Sequence, residues 1–454
     1  MRILFANDGI GDAGGVQAYL ASVMPALAAR GHAVALLHED RLRPGGESPA
    51  PAGVPHFCTA ELGVDGACDA ALAWVPDVCF THNMRVLHVD RRLAAAAPTV
   101  KMMHGYFGTC IGGQKAHLFP GAVPCGRRLG PACLALYLPR RCGRLNVGTM
   151  LAQHAWAREQ NALFATYAAF VVASSHMRDE YVRNGADPRR VHAIPLFPTA
   201  GERRSIDGTA AEPADAFAPV LRPASTDLPI LDTRRGGGDG RSRESVSFDE
   251  GPRSWSGDKP LRILFLGRMT RLKGGDLLIR AVARAGKEGG ARIHLTMAGD
   301  GPQRSGWRHR AGKLGVDAEF PGWAADEERD RLIRASHLLA VPSVWPEPFG
   351  LVGPEAGAFG VPAVAFDVGG IGEWLRDGEN GWLLPGPPRE EPLADALARI
   401  ARDPDALAAR SHGARAAADR LSLGRHVAAL EAVLAAADGR SPPSARTAAV
   451  AEAR

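Results

Sequence analysis

The chain lacks several things that would have settled its class at once. Its 454 residues contain no run of about eighteen apolar residues, so no spanning helix is expected. Its charge is nearly balanced, at +5 overall, with no basic or acidic tail, which argues against a nucleic-acid partner. Cysteine is sparse and odd in number, at seven, and no two lie in paired C-x-x-C spacing, so a disulfide framework is not expected and the thiols are read as reduced. The N-terminus, Met1-Arg2-Ile3-Leu4-Phe5-Ala6, reads as too short for a signal peptide and soon meets Asp8 and Asp12. A cytoplasmic protein is expected, with peripheral contact at the inner membrane face as an extension of that expectation.

What is present is a globular composition, 46% hydrophobic, on a chain longer than one core usually supports. Apolar runs of strand length stand at 2–6, 33–38, 78–83, 100–103 and 170–174. Between the first two, Val16, Leu20, Val23 and Leu27 recur at helical spacing, with Gly31 placed for a C-cap and Pro25 predicting a kink or early break. The pattern resumes at 261–267, 292–298, 337–341 and 361–366, with helices predicted at 276–285, 326–335 and 352–359 and Ala-rich helical segments over 391–438. Such alternation predicts an α/β protein with parallel sheets covered by helices. Residues 199–260, with Gly236-Gly237-Gly238 and few aliphatics, read as a disordered or loosely ordered linker. The expected domains are therefore 1–198, carrying a Cys- and Arg-rich insertion at about 108–145, and 261–440, followed by a flexible tail at 441–454.

The chemistry concentrates at strand-to-helix turns. Gly11-Asp12-Ala13-Gly14-Gly15 lets backbone N–H groups approach an anion at a helix N-terminus, although a tight turn without ligand explains it as well. Arg268 and Lys273 flank the corresponding turn of the second domain, where a diphosphate fits a planar fork and a point charge; a solvated charged loop is the other reading. Residues 342–355 form the strongest constellation. A Pro-constrained loop carries Glu347, the amides of Gly350, Leu351 and Val352 open a helix, and Glu355 sits in its first turn. This can hold a sugar hydroxyl, a phosphate and a ribose in succession; Glu355 alone also fits a dipole-complementing acid.

These pieces, in order, resemble the family 4 retaining glycosyltransferases of the GT-B fold: Gly267-Arg268, Lys273-Gly274, Ala298-Gly299-Asp300-Gly301-Pro302, Pro342-Ser343, Glu347-Pro348-Phe349-Gly350, Glu355-Ala356, Gly369-Gly370, Glu373 and Asn380-Gly381. The first domain matches through Gly14-Gly15-Val16, His104-Gly105 and Val172-Ala173-Ser174-Ser175. The resemblance implies two facing Rossmann-like domains and transfer of a sugar from a UDP- or GDP-linked donor to a hydroxyl acceptor on a glycan, a lipid or a small molecule. It implies Arg268 and Lys273 on the diphosphate, Glu355 on the ribose, Glu347 on the transferred sugar, Gly14 and Gly15 approaching the phosphates, and His104 at the reaction centre. His82 and Asn83, ending another strand, are candidates for the acceptor. The family's Asn-Gly-Val-Asp stretch is replaced by Ile194-Pro195-Leu196-Phe197-Pro198, and the linker is longer than usual. A nucleotide-sugar 2-epimerase of the same fold and a non-catalytic nucleotide-sugar-binding protein remain alternatives.

No cofactor and no catalytic metal are expected, because fixed cations and backbone amides can neutralise a leaving diphosphate. Asp403-Pro404-Asp405 reads as a helix cap rather than a metal-binding D-x-D. Cys110, Cys125, Cys133 and Cys142 suit buried thiols better than zinc, which stands as the weaker reading. Arg127, Arg128, Arg140, Arg141 and Arg144 suit either a solvated face or an anionic membrane or acceptor.

Overall fold

The structure is a computed structural model and describes residues 1–9, 15–41, 53–143, 145–198 and 255–439. Gly14, Arg144, most of the expected linker and the expected tail lie outside the described residues.

Fifteen strands form two parallel sheets and one small hairpin. In the first domain β1 is Arg2–Asn7, β2 Ala33–His38, β3 His56–Cys58, β4 Val78–Thr81 and β5 Thr99–Met103. The hairpin strands β6 (Ala116–His117) and β7 (Val123–Pro124) follow, then β8 (Ala169–Val172) and β9 (Val191–Ala193). The second domain holds β10 (Leu261–Leu266), β11 (Ile293–Ala298), β12 (Ala318–Gly322), β13 (Leu338–Val341), β14 (Ala363–Phe366) and β15 (Gly381–Leu384). Strand order is β3-β2-β1-β4-β5-β8-β9 in one sheet and β12-β11-β10-β13-β14-β15 in the other. Every pairing in the two large sheets is parallel. Continuous apolar strands follow from that, because helices cover both faces; β4, β5, β13 and β14 are buried at every residue.

In both sheets the order reverses between the first strand and the fourth. That reversal opens a crevice at the carboxyl ends of β1 and β4, and of β10 and β13, where such sheets bind ligands. The loops after β10 and β13 carry Arg268 and Ser343; those after β4 and β5 carry His82 and His104. Gly274 makes the second crevice possible. It sits at φ +69°, and a Cβ there would meet the Pro342 carbonyl oxygen at 1.8 Å.

One expectation is corrected. The helix Gly15–Ala29 runs through Pro25 without a break. Pro25 costs one helical hydrogen bond, but Leu20, Val23, Met24 and Leu27 on that helix are all buried in the first domain's core. The helix ends where Gly31 adopts φ +86° and His32 N–H bonds to the Leu27 carbonyl. The Ala-rich region resolves into Glu390–Ile400, Pro404–Asp419 and Leu423–Ala437. The third of these does not stay with its own domain: Val427, Leu430, Val433 and Leu434 pack among Ile3, Leu20, Val100 and Val171. This helix, sequentially part of the second domain, packs on the core of the first.

Candidate functional site

The second domain's crevice gathers charge. The Nζ of Lys273 donates to Oε1 of Glu347 at 2.7 Å, and the Ser343 hydroxyl donates to the same oxygen at 2.5 Å. Glu347 is 3% exposed, while the Lys273 side chain keeps 29% of its surface open. The cation also lies 5.7 Å from the Trp345 ring centre. A buried carboxylate so held has one fixed position, which is what binding a sugar hydroxyl requires. Its loop is pinned as well: the Gly370 N–H donates to the Glu347 carbonyl at 2.7 Å. Arg268, half-buried on the loop after β10, makes no ion pair among the described residues. It is left free for an anion.

The helix Val352–Gly357 begins directly after the loop. The amides of Gly350, Leu351 and Val352 donate to no protein acceptor among the described residues, whereas those of Gly353 and Glu355 bond to the Gly350 and Leu351 carbonyls. Glu355 is 9% exposed and lies 3.9 Å from Nη1 of Arg329, which also faces Asp326 and Asp330. The strongly acidic surroundings keep Arg329 charged despite its burial.

The first domain contributes a neutral, aromatic wall. Nδ1 of His82 lies 3.0 Å from Nε2 of His104. His82 has no exposed surface. It is packed against Phe5 and Phe80. Contact with an acceptor is therefore excluded for its side chain; it stands behind His104. Asn83, half-buried at the same strand end, keeps access. Burial, with Lys101 and His426 nearby, holds the His104 pKa at about 3, so the ring is neutral at physiological pH. Tyr19 contacts both rings, and its hydroxyl pairs with Nε2 of His426 at 2.8 Å. Gly15 opens its helix with free space where a side chain would be.

The two walls meet. Tyr106, two residues past His104, is fully buried 6.4 Å from the Trp345 ring, and Glu347 is among the charges that raise its pKa. Ser175 N–H donates to Glu373 at 2.6 Å. A Cβ on Gly370 would strike the side chain of Ser174. Sequence reading quoted Ser343 without a role and missed Arg329, Tyr106, Tyr19 and His426; Tyr106, Tyr19 and His426 meet their partners only through the fold, and Arg329 reaches Glu355 across 26 residues, so no local pattern announces the site role.

Among the described residues no group of three or more His, Cys, Asp or Glu is placed to hold an ion. Cys110, Cys125, Cys133 and Cys142 are free and half-buried rather than buried; Cys142 Sγ lies against His117 and Cys133 Sγ against the Arg128 carbonyl. The insertion is anchored by buried Lys115, paired with Glu180 at 2.6 Å and donating to the Arg127 carbonyl. Asp403 caps the Pro404–Asp419 helix, its carboxylate accepting from Ala406 N–H, as expected.

Comparison with known proteins places these observations. Residues 249–417 match the model of the family Glycosyl transferases group 1. The D-inositol 3-phosphate glycosyltransferase of Rhodococcus opacus is 39% identical over 157 residues, 32% of this chain and 34% of that one. That of Kribbella flavida is 40% identical over 153 residues, 31% and 35% of the two chains. The match thus spans about a third of the length of these relatives. Among solved structures, Anabaena Alr3699/HepE in complex with UDP superposes with TM-score 0.61 at 17% identity, covering 96% of this chain and 100% of that one. The lipopolysaccharide outer core galactosyltransferase WaaB gives 0.62 at 12% identity, covering 95% and 99%. Both likenesses establish the fold, GT-B.

Proposed function

We propose that this chain, whose second domain is a group 1 glycosyl transferase domain on a GT-B fold, moves a sugar from a nucleotide-diphosphate donor to a hydroxyl acceptor with retention and without a divalent metal. The observation that carries the reading is the Lys273–Glu347–Ser343 cluster, with the unengaged amides of Gly350–Val352 on the same loop and an Arg268 without an ion pair among the described residues on the loop after β10. When the bond from anomeric carbon to phosphate breaks, negative charge grows on the diphosphate. Arg268, Lys273 and the amides are preorganised for that charge. Glu347 orients the sugar and Glu355 the ribose. His104, at the end of β5, meets the sugar from the facing wall.

The UDP bound in the Anabaena neighbour supports a UDP-type donor. An epimerase would convert donor alone, and the family match does not favour it. The test is donor hydrolysis or transfer followed with and without acceptor, after a thermal-shift panel of nucleoside diphosphates. Stabilisation by UDP or GDP and acceptor-dependent turnover that survives a chelator are expected. Loss of activity on chelation sinks the metal-free mechanism, and no stabilisation by any nucleotide sinks the function.

The same reading extends to the cytoplasmic face of a membrane and to polysaccharide assembly. No described helix is long and apolar enough to cross a membrane. Arg127, Arg128, Arg140 and Arg141 are exposed and none has an acidic partner among the described residues. Phe119, Val123, Leu145, Val147 and Leu151, all exposed, share this region. Cations interleaved with apolar side chains suit anionic lipid. Sedimentation with anionic vesicles that is unchanged when the four arginines become serine removes this extension.

A further inference from the structure

The His82–His104 pair carries a consequence for how the facing wall touches substrate, and it rests on the reading of the cleft as a sugar-donor site. One of the two nitrogens in the 3.0 Å contact must donate and the other accept. His82 decides which. Its other nitrogen, Nε2, is enclosed and has no partner among the described residues. Phe5 stacks at 6.2 Å with a 6° interplanar angle, Phe80 sits edge-on at 4.5 Å, and Tyr19 closes a third side at 5.7 Å.

If His82 carried its proton on Nε2, that N–H would be buried bare. With the proton on Nδ1, only a lone pair goes unpaired, and orphaned donors are the rarer and costlier case. The Nδ1–H of His82 therefore donates to Nε2 of His104. A neutral His104 must then hold its own proton on Nδ1. That atom has no protein partner among the described residues, is not among the enclosed polar atoms, and belongs to a half-buried ring. His426, packed on the same Tyr19, shows the same device completed. Its Nδ1–H donates to the Pro195 carbonyl, leaving Nε2 to accept from the Tyr19 hydroxyl.

We propose that His82 is a positioning residue that locks His104 as the Nδ1–H tautomer, so that His104 presents a fixed, neutral hydrogen-bond donor to an oxygen of the transferred sugar. One nitrogen of His104 is occupied and the other carries a proton, so the ring has no lone pair free to take the acceptor's proton. It orients the sugar and does not act as a general base. The acceptor's proton must leave by another route, with the departing phosphate oxygen as the available base.

The tautomer is read directly by nitrogen-15 NMR of histidine-labelled, unliganded protein. His104 should show protonated Nδ1 and unprotonated Nε2 near neutral pH, whether or not the protein turns out to transfer sugar. A proton on Nε2 overturns the proposal. Kinetics then test its consequence. His82→Leu removes the donor and frees the tautomer; kcat should fall roughly 10–100-fold, less than the ~10²–10³ of losing a donor outright, with donor KM changed less than about 3-fold. His82→Asn can place an amide N–H where Nδ1–H stood and should recover kcat to within about 3-fold of wild type. Asn performing no better than Leu, or Leu retaining full kcat, overturns the assignment. Where His82→Leu does not fold, the wild-type spectrum and the Asn variant still decide. A wild type with the expected tautomer that binds no nucleoside diphosphate would instead remove the donor-site reading and leave the histidine pair standing.

Discussion

The two crevices are built on the same strand reversal and filled in opposite ways. At the ends of β10 and β13 the side chains are ions held against ions: Lys273 on Glu347, Arg329 near Glu355, Arg268 unpaired. At the ends of β4 and β5 they are neutral rings, with His82, His104 and Tyr19 in mutual contact. A reaction that sheds a diphosphate needs fixed charge on one side only. On the other side charge would compete with the positive sugar carbon, so a donor that never ionises serves better. Topology alone does not tell donor wall from sugar wall; the chemistry of the loop residues does.

The largest expected effect breaks the charged wall. Lys273→Ala should lower kcat/KM by roughly 10²–10³-fold, the scale of removing one preorganised donor, and Glu347→Gln by at least as much. Glu347→Gln preserves volume and should melt close to wild type; Lys273→Ala should lose some stability, because it leaves buried Glu347 with the Ser343 hydroxyl but no cation, though less than a fully buried pair would, since Lys273 is partly open. A Lys273→Ala enzyme with full activity would show that the diphosphate is neutralised elsewhere.

The next prediction concerns what holds the neutral wall neutral. Beneath the histidines, Lys101 and Asp90 form an ion pair at 2.7 Å with side chains only 2% and 0% exposed. Lys101→Met should destabilise the protein by ~3–5 kcal/mol in urea unfolding, because Asp90 is left buried and unpaired; adding Asp90→Leu should return most of the loss. Among the described residues no comparable fully buried pair stands under the second crevice, where the Lys273 side chain keeps 29% of its surface. Equal losses for Lys101→Met and Lys273→Ala would erase the distinction.

A third prediction separates the walls by pH. Burial holds His104 at about 3 and His426 at about 4, below their ordinary value. Between those values and about 6.5 the unfolded chain binds more protons than the folded one, so stability falls as pH drops. The slope is at most about 1.4 kcal/mol per unit for each histidine. In the second domain, His294 on β11 goes the other way: hydrogen bonds to Glu319 and Asp317 raise it to about 9. Its stabilising contribution is complete below about 6.5 and is lost as pH climbs through 9. Being 30% exposed, it contributes less. Unfolding measured at pH 5, 7 and 9.5 should show a steep acid limb and a shallow alkaline one. His294→Gln should flatten only the alkaline limb.

How much of this was legible in the sequence follows the same division. Strands such as 33–38 and the helix around Val352 could be read because periodicity is local. That Lys273 and Glu347 share one crevice could be read because both stand on loops at the carboxyl edge of one sheet. The neutral wall was harder. His82 sits at the right strand end, yet only packing shows that Phe5 and Phe80 enclose it. His426 stands 407 residues from its partner Tyr19, on a helix whose alanines fit either domain. Pro25 misled because its helix is stabilised by the core it faces, and propensity is the weaker term.

The smallest effect tests whether the charged wall is graded within itself. Arg329 lies 3.9 Å from Glu355, beyond a hydrogen bond, and shares its charge with Asp326 and Asp330. It therefore steadies the carboxylate that the proposed function assigns to the ribose, without fixing it. Arg329→Gln should raise donor KM about 3–10-fold and leave kcat nearly unchanged, because a ribose contact is made equally in the ground and transition states. Arg329→Lys, keeping the charge but not the planar fork, should fall between. A drop in kcat matching that of Lys273→Ala would mean that Glu355 acts on the reacting centre and that the order of the two glutamates along the donor is reversed.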